Sequence, residues 1–213
     1  MEDTDVQVER SELLAHILAK DEQQPQKEPD VAANIHEQLQ HMGLSTWSLS
    51  VLRRLRDAVA RLQPKTLLEV GASIGHRTAW ILDDFERRNQ RPDMLTLVEP
   101  GGKFGVILKR LLQRYDALPW SSVVVGEPSQ LAAEHQAWKL ASASVSELSQ
   151  TPFMSAYDVV VVDGPSSKRA DLVATYLEML SPNGVLFTVE PDMPTGEIAE
   201  DDWEGMGLVA GFN

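Results

Sequence analysis

The 213-residue sequence contains no cysteine and few basic residues. Without cysteine the chain cannot form a disulfide framework, a thiolate metal site or a cysteine nucleophile. Lysine and arginine number 19 against 32 aspartate and glutamate residues, which gives a net charge of −13. A surface of that sign repels phosphate backbones, so we expect no nucleic-acid partner.

Long apolar runs are also missing. No stretch approaches the roughly 18 apolar residues that a membrane span requires, so we expect no membrane partner. Residues 1–5 are acidic and polar, unlike a signal or transit peptide. These absences predict a cytoplasmic protein. The length and the apolar content of 43% are those of one globular domain with additional elements.

The first 64 residues show helical periodicity. Apolar spacing predicts helices over 8–20, over 31–42 and up to Leu62, the last capped by Ser45 or Thr46. Residues 21–30 are polar, contain two prolines and predict a linker or loop. We therefore expect a helical region over 1–64, serving as a lid or a dimer arm. Four arginines of its third helix predict a solvated face: Arg53, Arg54, Arg56 and Arg61.

From residue 65 to residue 213, short β-rich runs alternate with helical segments. Strands are predicted over 66–70, 95–99, 122–125, 157–162 and 185–189, and helices near 74–90, 103–115, 128–141 and 167–180. This alternation predicts an α/β fold, a mostly parallel sheet with helices on both faces. The run from Asp158 to Asp163 is apolar in its interior, as a central strand requires.

The segment after the first predicted strand is the most informative part of the chain. Residues 67–76 read LLEVGASIGH, an apolar run followed by two glycines and a helical pattern. Gly71 and Gly75 allow a sharp turn and a close approach to a ligand at a helix N-terminus. The G-x-x-x-G spacing differs from that of dinucleotide sites and favours a nucleoside cofactor such as S-adenosylmethionine. A glycine turn that binds no cofactor is the simpler alternative.

Acidic residues follow or end all five predicted strands. The carboxyl ends of parallel strands meet at one edge, where such sheets bind ligands. Glu99 can accept hydrogen bonds from both ribose hydroxyls, and Gly126 with Glu127 could meet an adenine. Each acid alone fits a loop or a helix cap equally well, but their coincidence indicates a site. The acids are Glu69, Glu99, Glu127, Asp163 and Glu190.

These motifs resemble those of class I S-adenosylmethionine-dependent methyltransferases, and more narrowly of catechol/caffeoyl-CoA-type O-methyltransferases. The matching segments are LLEVGASIGHRTA at 67–79, LVEP at 97–100, YDVVVVDG at 157–164 and LSPNGVLF at 180–187. The resemblance covers about residues 40 to 190. It implies a Rossmann-like methyltransferase fold, S-adenosylmethionine as cofactor, and methyl transfer to a hydroxyl of a small-molecule acceptor.

The resemblance also assigns cofactor contacts. It implies that the loop after strand one lines the methionine end, that Glu99 holds the ribose and that segment 42–46 forms a lid. His76 occupies a position that touches the cofactor, although a solvent-exposed histidine at a helix start is an equal alternative. The implied cofactor-binding residues are Glu69, Gly71, Ala72, Ser73, Gly75, His76, Glu99, Gly126, Glu127 and Asp163.

The implied catalytic residues depart from the family pattern. Metal-dependent members hold a divalent cation on an Asp after strand four and an Asp-Asn pair after strand five. Asp163 matches the first position and Glu190 one member of the pair, with Asp192 as a further oxygen ligand for Mg²⁺ or another divalent cation. Because the pair is incomplete, a metal-independent reaction stays open. Asp163 and Lys168 are the candidate catalytic residues, with Lys168 in the role of general base. The alternative for Lys168 is a solvated lysine at a helix start.

The family's sheet ends in an antiparallel hairpin after strand five, which we expect to be missing here. A fragment or a shortened relative would explain this, and the exposed strand edge would favour a homodimer. Two functions therefore stay open: an O-methyltransferase, and a non-catalytic cofactor-binding or protein-interaction module. The glycine spacing disfavours a dehydrogenase, the charge disfavours methylation of RNA, and methylation of protein is not excluded.

Overall fold

The computed structural model describes residues 12–142, 151–189 and 208–212. The strands are β1 (Thr66–Val70), β2 (Met94–Glu99), β3 (Ser121–Val125), β4 (Tyr157–Val162), β5 (Leu180–Val189) and β6 (Leu208–Phe212). The helices are α1 (residues 12–18), α2 (Asp30–His41), α3 (Leu49–Leu62), α4 (His76–Arg88), α5 (Gly102–Arg114), α6 (Pro128–Ser142) and α7 (Ser166–Leu177). No helix within these ranges is both long and apolar enough to cross a membrane.

The strands form one sheet in the order β3-β2-β1-β4-β5-β6. Strands β1 to β5 pair in parallel, as the alternating sequence pattern predicts. From β1 the chain steps outward to β3 and then returns to the other side of β1 at β4. The strand order thus reverses between β1 and β4, and ligands of such sheets bind beyond the carboxyl ends at that point.

Two apolar cores cover the two faces of the sheet. The first joins Leu67, Val159 and Phe187 to helices α2, α3, α4 and α5. The second joins Leu68 and Val160 to helices α6 and α7. Neighbouring residues of one strand enter opposite cores because strand side chains alternate between faces. Helices α2 and α3 therefore share a core with the sheet, while the predicted domain boundary at residue 64 stays a prediction.

The prediction that the antiparallel hairpin is missing is wrong. Strand β6 pairs antiparallel with β5, from Val185 opposite Phe212 to Val189 opposite Leu208. This pairing covers the edge of β5 that the sequence interpretation left exposed. Strand β6 is only five residues long and contains Gly211, so it carries a weak local strand signal. Pairing with a long partner strand, not local propensity, forms it.

The predicted solvated face of α3 is also wrong. Its arginines bind the chain that precedes α2, and Arg56 is buried against Asp57. Backbone carbonyls accept their hydrogen bonds: Gln26 from Arg53 at 2.8 Å, Pro25 from Arg56 at 2.6 Å, Ile17 from Arg61 at 2.7 Å, and Leu18 from Arg54. Segment 21–30, predicted as a linker or loop, is therefore a loop held against the folded domain.

The predicted N-cap of α3, Ser45 or Thr46, is wrong: the N-cap is Ser48. The Ser48 hydroxyl accepts a hydrogen bond from the Val51 N–H at 3.4 Å. Substituting Ser48→Ala is expected to lower the free energy of unfolding by about 1 kcal/mol, because an N-terminal N–H loses its partner. Urea denaturation measures this loss. Ser45→Ala, at an exposed position, is the matched control and should change stability by less than about 0.5 kcal/mol; equal losses would contradict the assignment.

Candidate functional site

The turn after β1 brings three strand ends into contact. The N–H groups of Gly71 and Ala72 donate to the carbonyl of Val98 at 2.9 and 3.1 Å. Gly71 has φ +74°, and a Cβ there would lie 2.5 Å from the backbone oxygen of Asp163. Only glycine fits this position without strain. The turn therefore lies directly between the ends of β2 and β4.

Glu99, at the end of β2, is held against this turn. Its carboxylate accepts hydrogen bonds from the Ser73 N–H at 2.7 Å and the Gly101 N–H at 2.8 Å. The side chain is almost fully buried, and burial raises its pKa despite those two hydrogen bonds. Each carboxylate oxygen has a second lone pair, so Glu99 keeps the capacity to accept from a ligand hydroxyl. The structure thus brings together Ser73 and Glu99, two residues predicted from the sequence.

Arg77 joins the ends of β1 and β4. Its Nη1 lies 2.5 Å from Asp163 Oδ2 and its Nε lies 3.2 Å from Glu69 Oε1, while Nη2 donates to the Gly71 carbonyl. Glu69 is fully buried and also accepts from the Thr78 hydroxyl at 2.7 Å. Burial raises the pKa of Glu69, which Arg77 and Thr78 only partly offset. Arg77 therefore compensates two acids at the centre of the predicted site.

Two further side chains enclose this ion-pair network. The ring of Trp47 packs over Arg77, with 4.7 Å between the ring centroid and the guanidinium carbon. Arg169 Nη2 lies 3.5 Å from Asp163 Oδ1 and 3.0 Å from the Gly164 carbonyl oxygen. Both oxygens of Asp163 thus face guanidinium groups. The carboxylate is paired without a metal ion.

His76, the first residue of α4, forms a separate cluster. Its Nε2 lies 2.6 Å from Glu28 Oε1 and its Nδ1 lies 2.9 Å from Thr46 Oγ1, while His36 Nδ1 lies 3.4 Å from Glu28 Oε2. His76 is almost fully buried, so the alternative of a solvent-exposed histidine is wrong. Burial lowers the pKa of His76, which Glu28 partly opposes. Burial of Glu28 alone would raise its pKa, but the two histidines lower it overall.

Comparison with known proteins identifies the fold, whereas the comparisons of sequence find no match. No protein-family model matches the chain, and no curated protein matches its sequence. Solved structures do match, among them the O-methyltransferase TomG of Streptomyces achromogenes, involved in tomaymycin synthesis and solved with SAM. The two share 17% identity at a TM-score of 0.58, over 79% of this chain and 72% of that one. The chain has the Rossmann-like methyltransferase fold.

Two other methyltransferases repeat this match. An O-methyltransferase from Bacillus cereus, solved with SAH, matches at 13% identity and a TM-score of 0.57, over 76% of this chain and 67% of that one. A Staphylococcus aureus protein assigned as a caffeoyl-CoA O-methyltransferase matches at 14% identity and 0.53, over 75% and 66%. The resemblance to class I O-methyltransferases, first drawn from the motifs, is thus confirmed at the level of fold.

Two arginines of the methyltransferase fold, Arg77 and Arg169, disfavour a metal ion at the predicted ligand Asp163. A divalent cation on Asp163 would lie beside two guanidinium groups, and repulsion between like charges disfavours it there. The arrangement of the described residues therefore does not fit a cation at Asp163. Glu190 and Asp192 lie outside the described residues, so the Asp163–Glu190 site stays a prediction.

The ends of β1, β2 and β4 border the predicted ligand crevice. The other predicted site residues lie after β3 and in α7. Lys168 Nζ lies 3.7 Å from Glu127 Oε1, and both side chains are largely exposed. The Gly126 N–H donates to the Glu99 carbonyl at 3.1 Å, which sets the loop after β3 beside the end of β2. The neighbour of Lys168, Arg169, is the residue that contacts Asp163. The role of Lys168 as a general base stays a prediction, and its exposure agrees with the solvated alternative.

Sequence reasoning missed the residues that connect the site. Trp47, Glu28 and His36 lie in the N-terminal region, and nothing local in the sequence relates them to α4. Arg77 did carry a signal, because it follows His76 inside the motif at the start of a helix whose face is buried. A charged residue in the first turn of a buried helix requires a partner, and the acids at the strand ends were the candidates.

Proposed function

We propose that the protein transfers a methyl group from S-adenosylmethionine to a hydroxyl of a small-molecule acceptor. Glu99 carries the proposal: it is an almost fully buried carboxylate at the end of β2, fixed by two backbone N–H groups. A buried carboxylate with free lone pairs suits a pair of ribose hydroxyls. The likeness to O-methyltransferases solved with SAM and SAH supports the same cofactor.

The residues present fit the nucleoside half of the cofactor. Glu99 would accept the ribose hydroxyls, and the loop of Gly126 and Glu127, which is hydrogen-bonded to the end of β2, would lie beside the adenine. The turn from Gly71 to Ser73 would line the methionine end. When bound, the cofactor supplies a methyl group on a positively charged sulfur. The protein then has to align acceptor and methyl group and exclude water, which are effects of positioning.

The acceptor hydroxyl needs a group that holds its proton. Asp163 is the proposed group, because it directly follows β4 and its Oδ1 lies 3.5 Å from Arg169 Nη2, a long contact that leaves this oxygen able to accept from a hydroxyl. The guanidinium groups of Arg77 and Arg169 hold this carboxylate in place at the end of the strand.

A second function is favoured by one observation. Arg77 occupies the carbonyl of Gly71, which the resemblance assigns to the cofactor's methionine end, and the carboxylate of Asp163, which it also counts among the cofactor-binding residues. A side chain that fills those positions would oppose cofactor binding unless it moves. The alternative is therefore a non-catalytic protein-interaction module built on the methyltransferase fold.

Binding of S-adenosylhomocysteine (SAH) distinguishes the two functions. Under the enzyme proposal, SAH at about 100 times its dissociation constant should stabilise the folded protein by about 2.7 kcal/mol. Glu99→Gln should weaken binding at least about tenfold, because hydrogen bonds to a charged acceptor contribute about 1.5–3 kcal/mol. Thermal unfolding and isothermal titration calorimetry measure both effects. Glu134→Gln, at an exposed position of α6, is the control and should bind SAH normally.

The absence of SAH binding by the unmodified chain would overturn the enzyme proposal and leave the interaction module. If SAH binds, transfer of a labelled methyl group to a panel of phenols and catechols tests the acceptor class. Running that assay with Mg²⁺ and with EDTA tests the predicted cation site. Unchanged turnover in EDTA is expected, since two arginines pair with Asp163.

A further inference from the structure

We propose that Glu28, His36 and His76 form a binding site for a divalent transition metal, best suited to Zn²⁺. The three residues come from the loop before α2, from α2 itself and from the start of α4. One ligand atom from each lies within 4.8 Å of the others. Glu28 and His36 belong to neither predicted site, whereas His76 is also one of the residues that the resemblance assigns to the cofactor; the set shares no residue with the predicted Asp163–Glu190 site.

The distances are close to those of a zinc centre. Tetrahedral zinc with bonds of about 2.0–2.1 Å holds its ligand atoms about 3.3 Å apart. Glu28 Oε2 already lies 3.4 Å from His36 Nδ1, and Glu28 Oε1 lies 2.6 Å from His76 Nε2. Movement of the Glu28 carboxylate by under about 1 Å would open the second distance to the required value. The remaining separation, between the ligand nitrogens of His36 and His76, is within 4.8 Å.

Outer hydrogen bonds orient two of the three ligands. The His76 Nδ1 lies 2.9 Å from Thr46 Oγ1, so a ring with Nε2 on the metal can donate its Nδ1–H to that hydroxyl. The indole N–H of Trp80, a fully buried residue, donates to Glu28 Oε1 at 3.4 Å. Metal-binding histidines and carboxylates commonly have such partners, which fix the tautomer and the ligand orientation.

The cluster is reachable and has room for a fourth ligand. Glu28 and His36 are partly exposed, with side-chain exposures of 14% and 23%. A cavity of about 170 Å³ adjoins His36 and is also lined by Gln40, Thr46 and Trp47. A water molecule that enters from this cavity, on the His36 side of the cluster, would complete four-coordination, as in zinc sites with three protein ligands. Two imidazoles with one carboxylate favour zinc over the oxygen-preferring Mg²⁺ or Ca²⁺.

The site would fasten the N-terminal region to the methyltransferase fold. Glu28 and His36 belong to the segment that covers α4, and His76 directly follows the turn glycine Gly75. A metal bridging them adds its binding free energy to the docked arrangement. The N-terminal region would then cover the start of α4 more firmly with metal than without it.

Metal titration of the full chain, purified without a polyhistidine tag, tests the proposal. Isothermal titration calorimetry with ZnCl₂ in a weakly competing buffer should give one ion per chain. His36→Ala should weaken binding at least about tenfold, a loss typical even of outer partners of metal ligands. His41→Ala is the matched control, because His41 is an exposed histidine on the same helix, and it should bind as the unmodified chain does. Circular dichroism checks that each variant is folded.

Glu28→Gln provides a second variant at a position outside the helices. It should weaken zinc binding and reduce the zinc-induced rise in melting temperature, whereas Asp163→Asn should leave both unchanged. Three results would overturn the proposal: less than one bound zinc per chain, equal affinities of His36→Ala and His41→Ala, or loss of the zinc in Asp163→Asn. The last would locate the ion in the crevice.

Discussion

Substituting Arg77→Met is expected to destabilise the folded protein by about 3–5 kcal/mol, the usual result of removing one partner from a buried ion pair. Methionine keeps much of the side-chain volume but no donor. Glu69, which is fully buried, then keeps the Thr78 hydroxyl as a hydrogen-bond donor but loses its guanidinium partner. Asp163 loses its 2.5 Å contact with Arg77. The cost arises because a buried carboxylate is left without compensating charge. Urea unfolding at neutral pH measures it.

The pH dependence of this loss identifies its cause. Burial raises the pKa of Glu69 in the folded state above its ordinary value of 4.5. The folded state therefore binds a proton more readily than the unfolded state, and Arg77→Met should strengthen this difference. The loss of unfolding free energy in Arg77→Met should be largest at pH values well above the folded-state pKa of Glu69. It should shrink as the pH falls through that pKa.

Arg87→Met is the matched control on the same helix. Arg87 is partly exposed, and its partner Asp84 also pairs with Arg88 at 3.0 Å. Its loss should cost under about 1 kcal/mol, because Arg87 is itself partly exposed and the buried Asp84 keeps Arg88 as its cation. Equal losses in the two variants, or a loss in Arg77→Met that does not depend on pH, would contradict the assigned role of Arg77.

The features predicted correctly from the sequence are those encoded by neighbouring residues. The strand, turn and helix start from β1 to α4 were predicted correctly because an apolar run, two glycines and a helical pattern follow one another within about 13 residues. The meeting of Ser73 with Glu99 followed from a topological rule, since parallel strands end at one edge. Such rules locate the crevice without any knowledge of side-chain packing.

The features that were missed depend on contacts between distant segments. Glu28 lies 48 positions before His76, in a polar segment with the composition of a linker. The arginines of α3 looked solvated because helical periodicity places them on the polar face. Their donors reach carbonyls of another segment, which periodicity does not reveal. Strand β6 likewise depends on its partner β5.

His76 and Arg77 show how one helix start contacts two separate clusters of side chains. They are adjacent in sequence, but His76 contacts Glu28 and Thr46 while Arg77 contacts Glu69 and Asp163. Successive helical residues differ by about 100° in direction, so neighbours contact different surroundings at the first turn. Metal binding by the Glu28–His36–His76 cluster would therefore fix the helix turn that also presents Arg77 to the crevice.

Gly71→Ala is expected to destabilise the fold by about 2–4 kcal/mol. A left-handed backbone costs an alanine about 1–2 kcal/mol, and Gly71 has φ +74°. The new Cβ would also lie 2.5 Å from the Asp163 carbonyl oxygen, a backbone atom that cannot turn away. Relief requires separating the ends of β1 and β4, the place where Arg77 joins them. Chemical denaturation measures the stability, and SAH titration reports the crevice.

Gly43→Ala separates the two contributions. Gly43 has φ +67°, and a Cβ there would meet nothing within 4 Å, so this variant should show the backbone cost alone. Gly102→Ala, where φ is ordinary and the space is also open, should be neutral or slightly stabilising in its helix. The excess loss of Gly71→Ala over Gly43→Ala then measures the close contact with Asp163. Equal losses would mean that the two strand ends can separate freely, and the crevice would not be the rigid binding edge on which the proposed function depends.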